Sequence, residues 1–384
     1  MSTSVRRKAA KKVAGRKSAA KKTPVKKASA KNATRAVRAA AVPAGGPVTL
    51  AEARALAMAR QPTLATRAVR AAVPPASPAA VGAERQRLEK ERQQEIARRV
   101  REYKATMGVM KKRGAKRSPA KAAAARGPAE PTPRAASFVP LQVLAEGDSW
   151  FDYPVPLFGG GIIPRLENRI GVPILNLAKA GDEVRYMLGV KERLLLAEHL
   201  TEGCPAGGPW DVLLFSGGGN DIVDNPMALW IKTWDAALAP PDHIHAARFS
   251  SALDLVSAGY EDLIALRDEL SPTTHLVFHD YDFSIPDGRG VCFMGPWLKP
   301  TFDLRGFPTQ AAAFAVVKAM LQQFTARLTA LAGQARVTVL HGQGTLTPQK
   351  SSWHNELHPS RDGFNLFADK FHAKLKELFP DRVD

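Results

Sequence analysis

From position 138 onward the chain alternates short apolar runs with longer helical stretches. The runs at 141–145, 173–177, 212–215, 275–278 and 337–340 are four or five residues long, bounded by Gly, Pro or polar residues. Short runs of this kind predict strands buried on both faces. Between and after them, 249–270, 309–332 and 362–379 read most clearly as helices. Strands alternating with helices predict an α/β fold, a three-layer α/β/α sandwich around a five-stranded parallel sheet. In such sheets ligands bind beyond the carboxyl ends of the strands. Ser149, Gly181, Asn220, His279 and Asp280 all fall at that end of a predicted strand.

Upstream the pattern changes. Over 81–113 helix formers dominate and charges are dense, while Ile96, Val100, Tyr103, Met107 and Met110 step by four, three, four and three. That spacing draws one apolar stripe along a helix. Its first reading is a helix packed on the following domain, its second a short coiled coil. Residues 114–136, rich in Ala, Pro and Arg, read as a linker. Residues 1–80 read as a disordered Lys/Arg/Ala/Pro-rich tail, in which ATRAVRAAAVPA at 33–44 returns as ATRAVRAAVPPA at 65–76. Such a composition cannot bury enough apolar surface to offset its chain entropy. The domain expected to fold is 137–384.

Charge sharpens that division. The net charge is +19, yet residues 1–135 hold 34 Lys/Arg against 7 Asp/Glu, and the rest hold 21 against 29. The basic character belongs to the tail, where 14 Lys/Arg occur in 1–38 without one acid. Residues 1–46 could therefore neutralise phosphates without sequence preference, so nucleic acid or another polyanion is the expected partner. A membrane surface, the acidic domain itself, or no partner are the alternatives. Two cysteines, Cys204 and Cys292, give no disulfide framework and fit a reducing, cytoplasmic setting. No apolar stretch is long enough for a membrane span.

Four short segments carry the candidate chemistry: Gly147-Asp148-Ser149, Gly181, Gly219-Asn220-Asp221 and His358-Pro359. In that order they offer a nucleophile, a backbone donor, a side-chain donor and a general base, the parts that acyl transfer needs. Each alone is ordinary turn chemistry, since Gly-Asp-Ser and glycine runs also make good turns. Their order and placement carry the reading.

Together the segments resemble the SGNH hydrolases, also called the GDSL esterase/lipase family, over roughly 137–384. The resemblance implies a flavodoxin-like sheet, Ser149 in AEGDSWFDYP as nucleophile, Gly181 in LAKAGDEV and Asn220 in GGND as oxyanion donors, and His358 in ELHPSRDGF as base. It implies a metal-independent ester hydrolase without a cofactor, acting on a small-molecule ester. One position departs from the pattern: where the family has Asp three residues before the histidine, this chain has Asn355. In a serine-protease triad that change costs about 10⁴ in rate through the wrong tautomer. Three outcomes follow: a Ser–His dyad with Asn355 or a carbonyl holding the ring, a substitute acid such as Glu356, Asp280 or Asp282, or a slow or inactive site. The last defines the rival function, an inactive hydrolase-like scaffold that binds nucleic acid or another polyanion.

Trp150, Asp221, Asp280 and Asp282 are expected to line the substrate cleft. Two insertions should shape it as well: 222–247, with Trp230, Trp234, His243 and His245, and 283–308, with Phe283, Cys292, Phe293, Trp297 and Phe302. The two histidines lack a further spaced ligand set, so no metal is expected.

Overall fold

The structure is a computed structural model that describes residues 78–113, 139–153, 160–291 and 294–383. The expected linker and residues 1–77 of the expected tail lie outside the described residues, while 78–80, expected in the tail, open the first helix.

Five strands form one parallel sheet: β1 (Val143–Gly147), β2 (Ile174–Asn176), β3 (Val212–Ser216), β4 (His275–His279) and β5 (Val337–Leu340). Their order is β2-β1-β3-β4-β5, the flavodoxin-like arrangement. β1 and β3 are buried at every position. That explains why these strands read as continuous apolar runs without alternation. The connections carry α2 (Ile162–Ile170), α3 (Val184–Met187), α4 (Val190–Glu202), α5 (Ala246–Leu270), α6 (Lys299–Leu304) and α7 (Gln310–Thr329), and α8 (Arg361–Leu378) follows β5. α2 packs on α8, while α5 packs on α3, α4 and α7. The order reverses between β2-β1 and β3, so the switch point of the sheet lies at the carboxyl ends of β1 and β3.

The first helix, α1 (Pro78–Arg113), joins this domain. Ile96, Tyr103 and Met107 of its stripe are buried, and Val100 and Met110 pack against the core. α1 lies along edge strand β2. There Arg99 donates to the carbonyls of Asn176 (2.9 Å) and Ala178 (3.2 Å) and to the Asp152 carboxylate (3.0 Å), while Arg92 donates to the Leu177 carbonyl. An edge strand leaves such groups unpaired, and the two arginines satisfy them. Burying each of the three apolar side chains contributes about 1.5–3 kcal/mol, so α1 is integral to the folded unit.

Candidate active site

Ser149 follows β1 in a turn closed by the N–H groups of Phe151 and Asp152, which donate to the Asp148 carbonyl at 3.1 and 3.0 Å. Gly147 has to be a glycine because a Cβ there would sit 2.7 Å from the Ser216 carbonyl on β3. The Asp148 carboxylate points inward and accepts from Trp150 N–H (2.9 Å), Ser216 Oγ (2.8 Å) and Tyr281 Oη (2.5 Å). Burial lifts it to about 6 against the pull of those bonds. Asp148 thus shapes the turn and leaves the next side chain, Ser149, to face the cavity.

The loop before α8 delivers the partner. Ser149 Oγ lies 2.6 Å from His358 Nε2, across 209 positions of sequence. His358 is 6% exposed, and burial, reinforced by nearby His354, holds its imidazole down at about 3. It is therefore neutral near pH 7, the form that can accept a proton from a hydroxyl. Tyr153 stacks on the ring with centroids 4.4 Å apart, and the Trp297 edge meets it at 5.8 Å.

Asn355 occupies the far side of that ring. Its Oδ1 is 2.9 Å from His358 Nδ1 and accepts from the backbone N–H of Leu357 and of His358, each at 2.9 Å. Backbone N–H groups only donate, which fixes the amide with its oxygen toward the ring; Nδ2 donates to Tyr153 Oη at 3.0 Å. His358 Nδ1 must then carry the hydrogen, and Nε2 presents its lone pair to Ser149. The protease penalty for an Asp-to-Asn change comes from the opposite tautomer, which this geometry disfavours. The substitute acids are engaged elsewhere. Glu356 accepts four backbone N–H groups, those of Gly288, Trp297, Leu298 and Lys299. Asp280 holds Gly342 N–H and His341, and Asp282 holds the N–H groups of Gly344 and Leu346.

Two further blocks converge on the same end of the sheet. Asn220 opens a 3-10 turn after β3, and its Nδ2 gives one hydrogen to the Asp182 carbonyl at 2.9 Å. Among the described residues, its second hydrogen has no acceptor. Gly181 is exposed in the loop after β2 with φ of 86°, a left-handed conformation that glycine adopts freely. Among the described residues, the N–H groups of Ser149 and Gly181 have no protein acceptor. Asp221 accepts from Val184 N–H at 3.0 Å and so ties the Gly181 loop to β3.

A cavity of about 30 Å³ lies against Ser149 and His358, with Trp150, Asn220, Val223, Tyr281, Leu321 and Leu357 in its wall. Of the residues expected in the cleft, Trp150 is in that wall; Asp221, Asp280 and Asp282 lie outside it and support loops. Of the insertions, the first supplies Val223 and the second Ser284. His243 stacks on Trp234 at 4.9 Å, and its Nδ1 meets the Ala239 carbonyl. Among the described residues no three His, Cys, Asp or Glu side chains gather as metal ligands, and no helix is long and apolar enough to cross a membrane. Sequence reading missed Tyr153 and His354. Both lie beside recognised segments, but nothing in their spacing marks them.

Compared with protein-family profiles and with curated protein sequences, the chain matches none. Solved structures do resemble it. The lipase Lip_vut3 from a goat rumen metagenome is 17% identical over 61% of this chain and 96% of that one, with a TM-score of 0.40. An extracellular lipase from Streptomyces rimosus is 14% identical over 61% and 99%, with a TM-score of 0.40. A putative SGNH hydrolase from Slackia heliotrinireducens is 12% identical over 61% and 97%, with a TM-score of 0.34. All three TM-scores lie below 0.5. By structure as by its four sequence blocks, the chain is similar to GDSL-like lipases and SGNH hydrolases.

Proposed function

We propose that this chain is a serine ester hydrolase that works through an acyl-serine intermediate. The observation that carries the reading is the 2.6 Å contact between Ser149 Oγ and the neutral, correctly oriented His358 at the wall of a cavity. Ser149 Oγ attacks the ester carbonyl while its proton passes to His358 Nε2. The carbonyl oxygen becomes an oxyanion that the N–H groups of Ser149 and Gly181 and the free amide hydrogen of Asn220 stabilise. Each such donor is worth about 10²–10³ in rate. His358 returns the proton to the departing alcohol. A water then repeats the sequence on the acyl-serine, releasing the acid and restoring the hydroxyl. Asn355 holds the imidazolium's Nδ1–H in both halves.

Buried Val223, Leu321 and Leu357 give the cavity an apolar wall beside Ser149, which suits an acyl group. The full chain, with α1 in place, should hydrolyse short p-nitrophenyl esters such as the acetate. Ser149→Ala should abolish that turnover. Equal activity in Ser149→Ala would remove the assignment.

The division into basic tail, helix, linker and hydrolase domain belongs to the same proposal, as does attachment of residues 1–46 to nucleic acid or another polyanion. The support is their density of positive charge. A gel shift at two salt concentrations, with and without residues 1–46, tests it. Steep weakening with salt is expected, and an unchanged shift in the shortened chain would refute the role of the tail.

A further inference from the structure

The position opposite His358 Nδ1 carries no charge, yet the hydrogen bonds behind it do not end at Asn355. Asn355 Nδ2 donates to Tyr153 Oη, and that hydroxyl lies 2.5 Å from His354 Nδ1. Asn355 Oδ1 is held by two backbone N–H groups, so Nδ2 must be the donor toward Tyr153. Three hydrogen bonds therefore point one way: Ser149 to His358, His358 to Asn355, and Asn355 to Tyr153. The contact between the Tyr153 hydroxyl and His354 Nδ1 extends that sense to a fourth when His354 carries its hydrogen on Nε2.

Resting on the ester-hydrolase reading above, we infer that Tyr153 and His354 are positioning residues that polarise Asn355 and so take over part of the role of the absent carboxylate. The physical reason is cooperativity. Each hydrogen bond in a same-sense chain strengthens the next, most of all in a low-dielectric interior. Asn355 is fully buried and Tyr153 is 3% exposed. A hydroxyl that donates to an imidazole becomes a better acceptor for the amide hydrogens of Asn355. The amide then carries more negative charge on Oδ1, which faces the hydrogen of the imidazolium formed during attack. For His354 the inference requires a bare Nδ1, with its hydrogen on Nε2.

Tyr153→Phe isolates the hydroxyl, because the phenyl ring keeps the stack on His358. With p-nitrophenyl acetate, kcat should fall about tenfold with KM nearly unchanged. In an Asn355→Asp background, where a full charge replaces the polarised amide, the same substitution should cost less than twofold. Urea denaturation of each variant separates these effects from loss of fold. A kcat within twofold of the parent, or the same loss in both backgrounds, would overturn the inference; in the second case Tyr153 only packs. Turnover that survives Ser149→Ala would instead defeat the hydrolase reading. A measurement free of turnover is the ¹⁵N spectrum of the two imidazoles, in which His358 should carry its hydrogen on Nδ1 and His354 on Nε2. Finding His354 with its hydrogen on Nδ1 removes the relay whatever the activity.

Discussion

Among the described residues, two buried serine–histidine pairs stand side by side in the fold, and one of them is placed to do chemistry. Ser149 and His358 meet at 2.6 Å; Ser216 and His279 meet at 2.8 Å. In both, the far ring nitrogen faces an oxygen, Asn355 Oδ1 in the first and the Asp280 carbonyl in the second. Both imidazoles are kept neutral by burial, at about 3 and about 4. The difference lies around the hydroxyl. Ser149 borders a cavity beside the unengaged hydrogens of a candidate oxyanion site. Ser216 is fully buried, its Oγ shared between His279 and the Asp148 carboxylate. A serine–histidine contact is therefore no signature by itself; what matters is an unengaged lone pair facing a space that a substrate carbonyl can enter. The second pair serves the first, since Ser216 is one of the groups that fix Asp148 beneath the nucleophile.

Substituting the two serines in turn should give the largest contrast. Ser149→Ala should eliminate labelling by a fluorophosphonate probe, with a loss in kcat of several powers of ten. Ser216→Ala should still be labelled but should lose about 1–3 kcal/mol of stability in urea, because His279 and Asp148 each lose a buried partner. Labelling that disappears only in Ser216→Ala would exchange the two roles.

A smaller effect is expected from restoring a charge to one pair alone. Asn355→Asp should raise the His358 pKa and increase kcat about tenfold. That is far less than the factor of about 10⁴ associated with a wrong tautomer, because Asn355 already holds the productive one. The pH profile of kcat, with the His358 imidazole followed by NMR, checks both expectations.

Acid should affect the pairs together in stability and separately in activity. Both histidines have folded pKa values below the ~6.5 of an unfolded histidine. The unfolded chain therefore binds more protons through that window. Their contribution to stability is complete above pH 6.5 and is lost as pH falls toward 4 and then 3. Urea midpoints measured across that range should decline, while kcat of the still-folded protein follows His358 alone.

The smallest expected effect has the opposite sign and lies beneath the site. Glu146, fully buried two residues before Asp148, is raised by burial to about 8. Its neutral form contributes stability below the ordinary carboxyl pKa of ~4.3, and that contribution is lost as pH rises through about 8. Glu146→Gln should remove that alkaline loss, visible as a higher urea midpoint at pH 9 and little change at pH 5.

The five strands were legible because a parallel strand covered on both faces must be apolar throughout, a pattern local enough to read in four or five residues. The α1 stripe was legible for the same kind of reason, one face at helical spacing. Nothing local, however, indicated that Arg99 would bind carbonyls 77 and 79 positions away. Asp280 and Asp282 were reasonable cleft residues by position, yet their carboxylates turn toward the backbone that follows β5. Glu356 was a plausible third member of the triad until its four backbone donors were visible.

The chain by itself determined the order of its candidate chemistry along the sequence: a hydroxyl, two donor segments and an imidazole, each expected at a strand end or before the last helix, because glycines and turn residues there are constrained over only a few positions. Tertiary structure alone decided which oxygen of the protein faces His358, which way Asn355 points, and that Tyr153 and His354 stand behind it. Those are matters of hydrogen-bond direction between groups about 200 residues apart. Direction is set by which donors folding brings to one acceptor, and a sequence lists donors without saying where they meet.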